Sequence, residues 1–100
     1  MNFNKPTKIV SKKIRKSAKN EVCSLRIPNV CNGKSDTTVF AHLNTRFKGV
    51  ANKSPDLFGV YACSDCHSHL DQNLVNKEDQ LRGLVETQMK LYMKGLIKVK

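Results

Sequence analysis

Four cysteines constrain what this chain can fold into more than any other feature of its sequence. Cys63 and Cys66 form a close CxxC pair followed directly by His67, and Cys23 and Cys31 form a wider pair upstream. A chain of 100 residues has a core that is marginal by burial alone, and a bound metal ion is a common supplement. CxxC spacing holds two thiolates at the separation that one zinc ion needs. The cysteines therefore predict a zinc-stabilised fold.

The cellular compartment decides whether the cysteines serve as ligands or as disulfides. The longest apolar stretch, near residues 57–63, falls far short of the ~20 residues of a transmembrane helix. The basic N-terminus also lacks the apolar core of a secretory signal. We therefore expect a cytoplasmic protein with reduced thiols, and all four cysteines as ligands of one structural Zn²⁺. The alternative gives one zinc position to His67 in place of an upstream cysteine.

Positive charge is concentrated at the N-terminus. The net charge is +10, and residues 1–20 hold seven basic residues and no acidic one. Such asymmetry favours a polyanionic partner, because phosphate contacts release bound counterions. The candidate nucleic-acid contacts are Lys12, Lys13, Arg15, Lys16, Arg46 and Lys48. The alternative is a solvated tail; the apolar side of the segment is too thin to favour a membrane surface.

The sequence predicts a small α+β protein in one domain spanning residues 1–100. Its parts are a basic helix or arm at 1–20, a zinc-bound core at 21–74 and a C-terminal helix at 75–100. Apolar spacing predicts the first helix at 7–19, a loop at 23–36 and strands at 37–43 and 57–62. Ser64 is expected to cap a second helix, and Asn76 and Gly95 to bound a third. The apolar packing face expected on that third helix comprises Leu81, Leu84, Val85, Met89 and Tyr92.

Three polar residues form a candidate active centre. His67 and Asp71 lie one turn apart on the second predicted helix, where they can hold a divalent cation or form an ordinary ion pair. His42 lies in a predicted strand, and a histidine can be neutral at cellular pH and remove a proton from water. If the strands pair and the helix packs across them, His42 is expected to face the His67–Asp71 pair.

The chain also resembles a known family. The segments that carry the likeness run from Cys23 to Gly33, Val39 to His42, Pro55 to Leu57 and Cys63 to His67. Together they resemble the YbcO-like family of predicted prophage nucleases and, more broadly, the His-Asn-His endonuclease clan with its ββα-metal fold. The likeness is continuous from about Cys23 to Asp71 and looser in the last helix.

The resemblance implies metal-dependent hydrolysis of phosphodiester bonds. It places His42 at the general-base position, His67 at the second histidine and Asp71 as its partner for Mg²⁺ or another divalent cation. The four cysteines would hold a separate structural zinc. There are two departures: Ala41 stands where the clan often has a metal ligand, and the clan's middle asparagine has no clear counterpart. Asp56 or Asn52 could replace that asparagine by hydrogen bonding to the backbone.

The leading expectation is a phage or prophage endonuclease that cuts DNA in a bacterial host with weak sequence preference. One alternative is a non-catalytic zinc module that binds nucleic acid or a recombination protein. Another is a zinc-stabilised structural adaptor without a nucleic-acid role, which predicts no affinity for DNA even at low salt.

Overall fold

The computed structural model describes residues 10–43 and 55–100. In chain order, the described elements are the helix α1 (Lys12–Lys16), a 3₁₀ turn (Ser35–Thr37), the strands β1 (Val39–His42) and β2 (Gly59–Ala62), and the helices α2 (Ser64–Asp71) and α3 (Lys77–Met93). The two strands form an antiparallel sheet. The α+β class is therefore confirmed. No helix in these two ranges has the length and apolar character needed to cross a bilayer.

The register of the two strands fixes which side chains share a face of the sheet. Phe40 pairs with Tyr61 and His42 with Gly59, whereas Ala41 pairs with Val60. Because successive side chains of a strand point to opposite faces, Phe40, His42 and Tyr61 lie on one face and Ala41 and Val60 on the other. We call these the His42 face and the Ala41 face.

Each face is covered by its own buried cluster. The cluster on the Ala41 face joins the sheet to the loop before β1 and to α2; its buried residues are Cys23, Leu25, Ala41, Leu43, Val60, Ala62, Cys63, Cys66, Leu70 and Val75. The cluster on the His42 face joins the sheet to α1 and the end of α3; its buried residues are Ile14, Ala18, Tyr61 and Leu91. The thin sheet thus separates α2 from α1.

Helix α3 packs against β2 through small and polar side chains. Thr87 is fully buried, and its Oγ1 accepts the backbone N–H of Tyr61 at 3.1 Å. A Cβ atom at Gly83 would lie 2.9 Å from Leu25 and 3.3 Å from Val60, so the absence of a side chain permits the close approach. This contact turns the opposite side of the helix to solvent.

The predicted packing face of α3 is therefore wrong. Four large side chains of the predicted face are between 52% and 62% exposed, namely Leu81, Val85, Met89 and Tyr92. Leu84 alone of the predicted set packs against a core cluster. The face that contacts the sheet is instead the one with Gly83, Thr87 and Leu91.

Helix ends agree with the sequence in part. Asn76 caps α3 as predicted, since its Oδ1 accepts the N–H of Asp79 at 2.7 Å, and Gly95 follows the helix with φ of +73°. The α2 cap is Cys63 rather than the predicted Ser64. Helix α1 is shorter than the predicted 7–19, begins after Ser11 and ends at Lys16, because the chain turns at 17–20. Residues 7–9 of that prediction lie outside the described residues.

Candidate functional site

The four cysteines converge on one point. The Sγ atoms of Cys23, Cys31, Cys63 and Cys66 all lie within 4.8 Å of one another, and those of Cys31 and Cys63 are 3.9 Å apart. A tetrahedral zinc ion with Zn–S bonds of about 2.3 Å places its sulfur ligands about 3.8 Å from each other. The cluster can therefore hold a metal ion such as zinc. It is the only such group of three or more ligand residues in the part of the chain that the structure describes, and it excludes His67.

Backbone geometry prepares the cysteine cluster for a cation. Backbone N–H groups of Arg26 and Cys66 point at the sulfurs of Cys23 and Cys63, each at 3.4 Å. Burial raises the pKa of the Cys31 and Cys66 thiols. Burial also opposes ionisation of Cys63, but hydrogen bonds with the backbone N–H groups of Asn32 and Cys66 and with the side chains of Cys66 and Cys31 together outweigh it and lower the pKa of that thiol. A bound divalent cation would stabilise all four as thiolates.

His42 belongs to a separate site at the end of β1. Its Nε2 lies 2.6 Å from Oδ1 of Asp56, whose residue is only 3% exposed. The ring also meets the edge of Phe40, with centroids 5.4 Å apart and planes at 88°. The imidazole is thus held on one side by a buried carboxylate and on another by an aromatic ring, while 28% of its side chain reaches solvent.

The second oxygen of Asp56 binds α1. Oδ2 accepts the backbone N–H of Ser11 at 2.6 Å and lies 3.4 Å from Nε of Arg15. Asp56 therefore connects the N-cap of α1 to His42. Its role as a substitute for the clan's asparagine stays a prediction. Asn52, the alternative, lies outside the described residues.

His67 and Asp71 form the second histidine–carboxylate pair. Nε2 of His67 lies 3.4 Å from Oδ2 of Asp71, and the side chains are 39% and 66% exposed. The two residues therefore lie one turn apart on the same face of α2, as their spacing predicts. Two ligands on an exposed helix surface can contact a cation, but they leave most of its coordination sphere to water or substrate.

His42 lies on the face of the sheet opposite to the one that α2 covers, and its meeting with the His67–Asp71 pair stays a prediction. Helix α2 buries Cys66 and Leu70 in the cluster on the Ala41 face, whereas the His42 ring points to the other face and contacts Phe40 and Asp56. The alternation of side chains along β1 is the physical reason. Ala41, the neighbour on the α2 side, is 1% exposed and offers no ligand atom.

Comparison with known proteins identifies the family. Residues 12–95 match the family described as "Putative nuclease YbcO". This chain belongs to the YbcO family. The proteins named "Putative nuclease YbcO" of Escherichia coli strain K12 and "Putative nuclease ybcO" of Enterobacteria phage 82 are each 39% identical to it over 92 residues. Each alignment covers 85% of this chain and 96% of the relative.

A solved structure from the same bacterium is similar to this YbcO-family chain. It is titled "Structure of a putative bacteriophage protein from Escherichia coli str. K-12 substr. MG1655", and it matches with a TM-score of 0.65 and 36% sequence identity. The match covers 83% of this chain and all of the other, 100%.

The basic residues of this YbcO-family chain adjoin the His42 site through α1. Four of the predicted contacts are exposed on that helix: Lys12, Lys13, Arg15 and Lys16. Arg15 connects them to the site, because it lies against Asp56. Arg46 and Lys48 fall outside the described residues.

Sequence reasoning missed the direct link between Asp56 and His42. The available signal was that Asp56 is the only acidic residue between Asp36 and Asp65, in an otherwise basic connector. Its partner could not be named, because the two residues are fourteen positions apart and meet only through the fold.

Proposed function

We propose that this protein is a nuclease that hydrolyses phosphodiester bonds of nucleic acid, most directly DNA, with His42 as the general base. The observation that carries the proposal is the 2.6 Å contact between His42 and the buried carboxylate of Asp56. Such a pair orients an imidazole for proton transfer. The names of the YbcO relatives and the cationic α1 beside the site support the same function.

The proposed step uses the partly exposed His42 ring. A water molecule that approaches the scissile phosphate gives a proton to the neutral imidazole while its oxygen bonds to phosphorus. The bond from phosphorus to the leaving oxygen breaks, and that oxygen takes a proton from solvent. His42 then returns its proton to solvent, so protons balance over the cycle.

The proposed metal-binding helix is α2, in a ββα-metal core formed with the two strands. His67 and Asp71 would hold Mg²⁺ or a similar ion there. When bound, the ion would neutralise charge that develops on the phosphate. Because α2 covers the Ala41 face, a substrate would have to reach His42 and this pair from the edge of the narrow sheet. With alanine at position 41, the chain supplies few ligands, so we expect weak cation affinity.

The proposed nucleic-acid contacts lie on α1 and in the connector. Lys12, Lys13, Arg15 and Lys16 are exposed and close in sequence, and Arg46 and Lys48 belong to the same proposal. Lysine and arginine contacts to phosphates position a duplex without reading bases. We therefore expect weak sequence preference and affinity that falls steeply with salt.

A cleavage assay tests the proposal. Single-stranded, duplex and branched DNA, with RNA as a further substrate, are incubated with protein and Mg²⁺, Mn²⁺ or EDTA. We expect metal-dependent cleavage that His42→Ala reduces by about 100-fold or more, the usual scale for loss of a general base. His69→Ala is the matched control, because it removes a histidine outside both pairs. Equal loss in the two variants, or no cleavage of any substrate, would contradict the assignment.

The second candidate is a non-catalytic zinc module that binds nucleic acid. The observation that favours it is the separation of His42 from α2 by the sheet. It predicts salt-sensitive DNA binding without cleavage under any cation, and binding that His42→Ala leaves unchanged.

A further inference from the structure

We infer that Asp56 is a positioning residue that fixes the tautomer of His42, so that Nδ1 is the ring atom that accepts the proton. The structural part of this inference stands on contacts alone, and its catalytic consequence rests on the proposed nuclease function. Asp56 would act through His42 and need not touch the substrate.

The tautomer follows from what a carboxylate can do. An ionised carboxylate only accepts hydrogen bonds, so the ring nitrogen 2.6 Å from Oδ1 of Asp56 has to carry the hydrogen. That nitrogen is Nε2. A neutral imidazole has one N–H, which leaves the lone pair on Nδ1. Within residues 10–43 and 55–100, Asp56 is the only hydrogen-bond partner found for the ring.

The carboxylate is itself held on its other oxygen. The backbone N–H of Ser11, at 2.6 Å, and the guanidinium of Arg15, at 3.4 Å, both approach Oδ2 and leave Oδ1 to the histidine. With donors on both oxygens, the carboxylate of Asp56 has little freedom to rotate. The edge contact with Phe40 restrains the ring plane as well. Tautomer and orientation are thereby fixed together.

The arrangement has a consequence for charge. When Nδ1 accepts a proton from water, the ring becomes an imidazolium whose Nε2–H already points at a negative carboxylate. Asp56 therefore stabilises the protonated ring without taking a proton itself. Among the residues that the structure describes, the other charged group against this carboxylate is Arg15 of α1, which partly offsets its charge. Helix α1 thus supports the base as well as carrying the proposed phosphate contacts.

Asp56→Asn is the informative substitution, because it keeps the size and removes the charge. An amide N–H facing Nε2 would favour the opposite tautomer, with hydrogen on Nδ1 and no lone pair left on that atom to accept a proton. Asp36→Asn is the matched control, an exposed aspartate in the 3₁₀ turn. The first readout is the pair of imidazole ¹⁵N chemical shifts of His42 at a pH where the ring is neutral.

We expect the unaltered protein to show a protonated Nε2 and an unprotonated Nδ1, Asp36→Asn to match it, and Asp56→Asn to shift towards protonated Nδ1. An Nδ1–H tautomer, or a mixture of tautomers, in the unaltered protein would overturn the inference. This measurement needs no nuclease activity and no variant, so it remains informative if Asp56→Asn does not fold or if no substrate is cleaved.

The second readout is cleavage. If the unaltered protein cleaves DNA, we expect Asp56→Asn to lower kcat by about 100-fold while the Kd for DNA changes by less than about threefold. A purely structural role would instead lower the fraction of folded protein and leave kcat per folded molecule unchanged. Unchanged kcat together with a changed tautomer would overturn the catalytic role of Asp56, whereas absence of cleavage in the unaltered protein would overturn only the proposed function.

Discussion

The two histidine–aspartate pairs contain the same side chains in different surroundings. His67 and Asp71 lie four residues apart on one helix, 3.4 Å from each other and largely exposed. His42 and Asp56 come from separate segments, with Nε2 of His42 2.6 Å from Oδ1 of Asp56. The carboxylate of Asp56 is buried, and the N-cap and Arg15 of α1 also contact it. The comparison teaches that helical spacing creates a pair but not a restrained one. Restraint, which proton transfer needs, requires tertiary contacts.

Removing a bound metal ion should have the largest effect on stability. It tests whether the fold, and with it both histidine–aspartate pairs, depends on the cysteine cluster. Metal-dependent folding energies at structural zinc sites are on the order of 10–16 kcal/mol. We expect chelation, or Cys66→Ser, to abolish cooperative thermal unfolding measured by circular dichroism, and zinc to restore it only in the unaltered chain. Identical melting with and without chelator would show that the cluster is not a structural metal centre.

Shortening a core side chain under the His42 face should have the next largest effect. Leu91 is fully buried there with Tyr61 and Ile14, so Leu91→Ala is expected to cost about 2–4 kcal/mol of unfolding free energy. Leu81→Ala, on the exposed side of the same helix, is the control and should cost under about 0.5 kcal/mol. Urea denaturation measures both. Equal costs would contradict the burial of Leu91, and a larger cost at Leu81 would mean that α3 packs through its other face.

An ion pair that belongs to neither histidine–aspartate pair provides a reference for pH effects. Arg26 donates two hydrogen bonds to Glu86, at 2.6 and 2.8 Å, and this contact lowers the pKa of Glu86 below its ordinary 4.5. A lowered pKa means that the stabilisation is present above pH 4.5 and is lost as the pH falls through the folded value. Because the pair is partly exposed, we expect Glu86→Gln to cost less than about 1 kcal/mol at pH 7.

The melting temperatures of Glu86→Gln and the unaltered protein should therefore converge below pH 4.5. A difference between the two melting temperatures that stays constant down to pH 3 would show that it does not come from the ionised carboxylate of Glu86.

The smallest stability effect is expected at the exposed pair. An i, i+4 ion pair on a helix surface contributes about 0.3–0.5 kcal/mol, so Asp71→Asn should lower the unfolding free energy by no more than that. Gln72→Glu, at the neighbouring exposed position, is a control that changes charge in the opposite sense. A cost above about 1 kcal/mol for Asp71→Asn would show that this pair is more restrained than its exposure indicates.

The parts of the structure that the sequence could predict are those set by local chemistry. CxxC spacing, the Asn76 cap, Gly95 and the His67–Asp71 spacing depend on neighbours within a few residues, and the structure has all of them. The convergence of the upstream cysteines on Cys63 and Cys66 was also predictable, because cysteines that stay reduced are more often metal ligands than disulfides.

The parts that could not be predicted depend on contacts between distant segments. The packing face of α3 was misjudged because Gly83 and Thr87 contact the sheet, and a search for large apolar side chains overlooks both. The direction of His42 depends on the strand register, which places Ala41 on the side of α2. The contacts of Asp56 depend on the position of α1, whose N-cap and Arg15 lie against its carboxylate.

The central claim is that the restrained pair, rather than the exposed one, supplies the base. The most direct measurement compares kcat for His42→Ala and His67→Ala on the same DNA across a series of Mg²⁺ concentrations. We predict that His42→Ala stays at least about 100-fold slower than the unaltered protein at every concentration, whereas His67→Ala recovers as Mg²⁺ rises. Recovery of His42→Ala with Mg²⁺, or a concentration-independent loss in His67→Ala alone, would contradict the account.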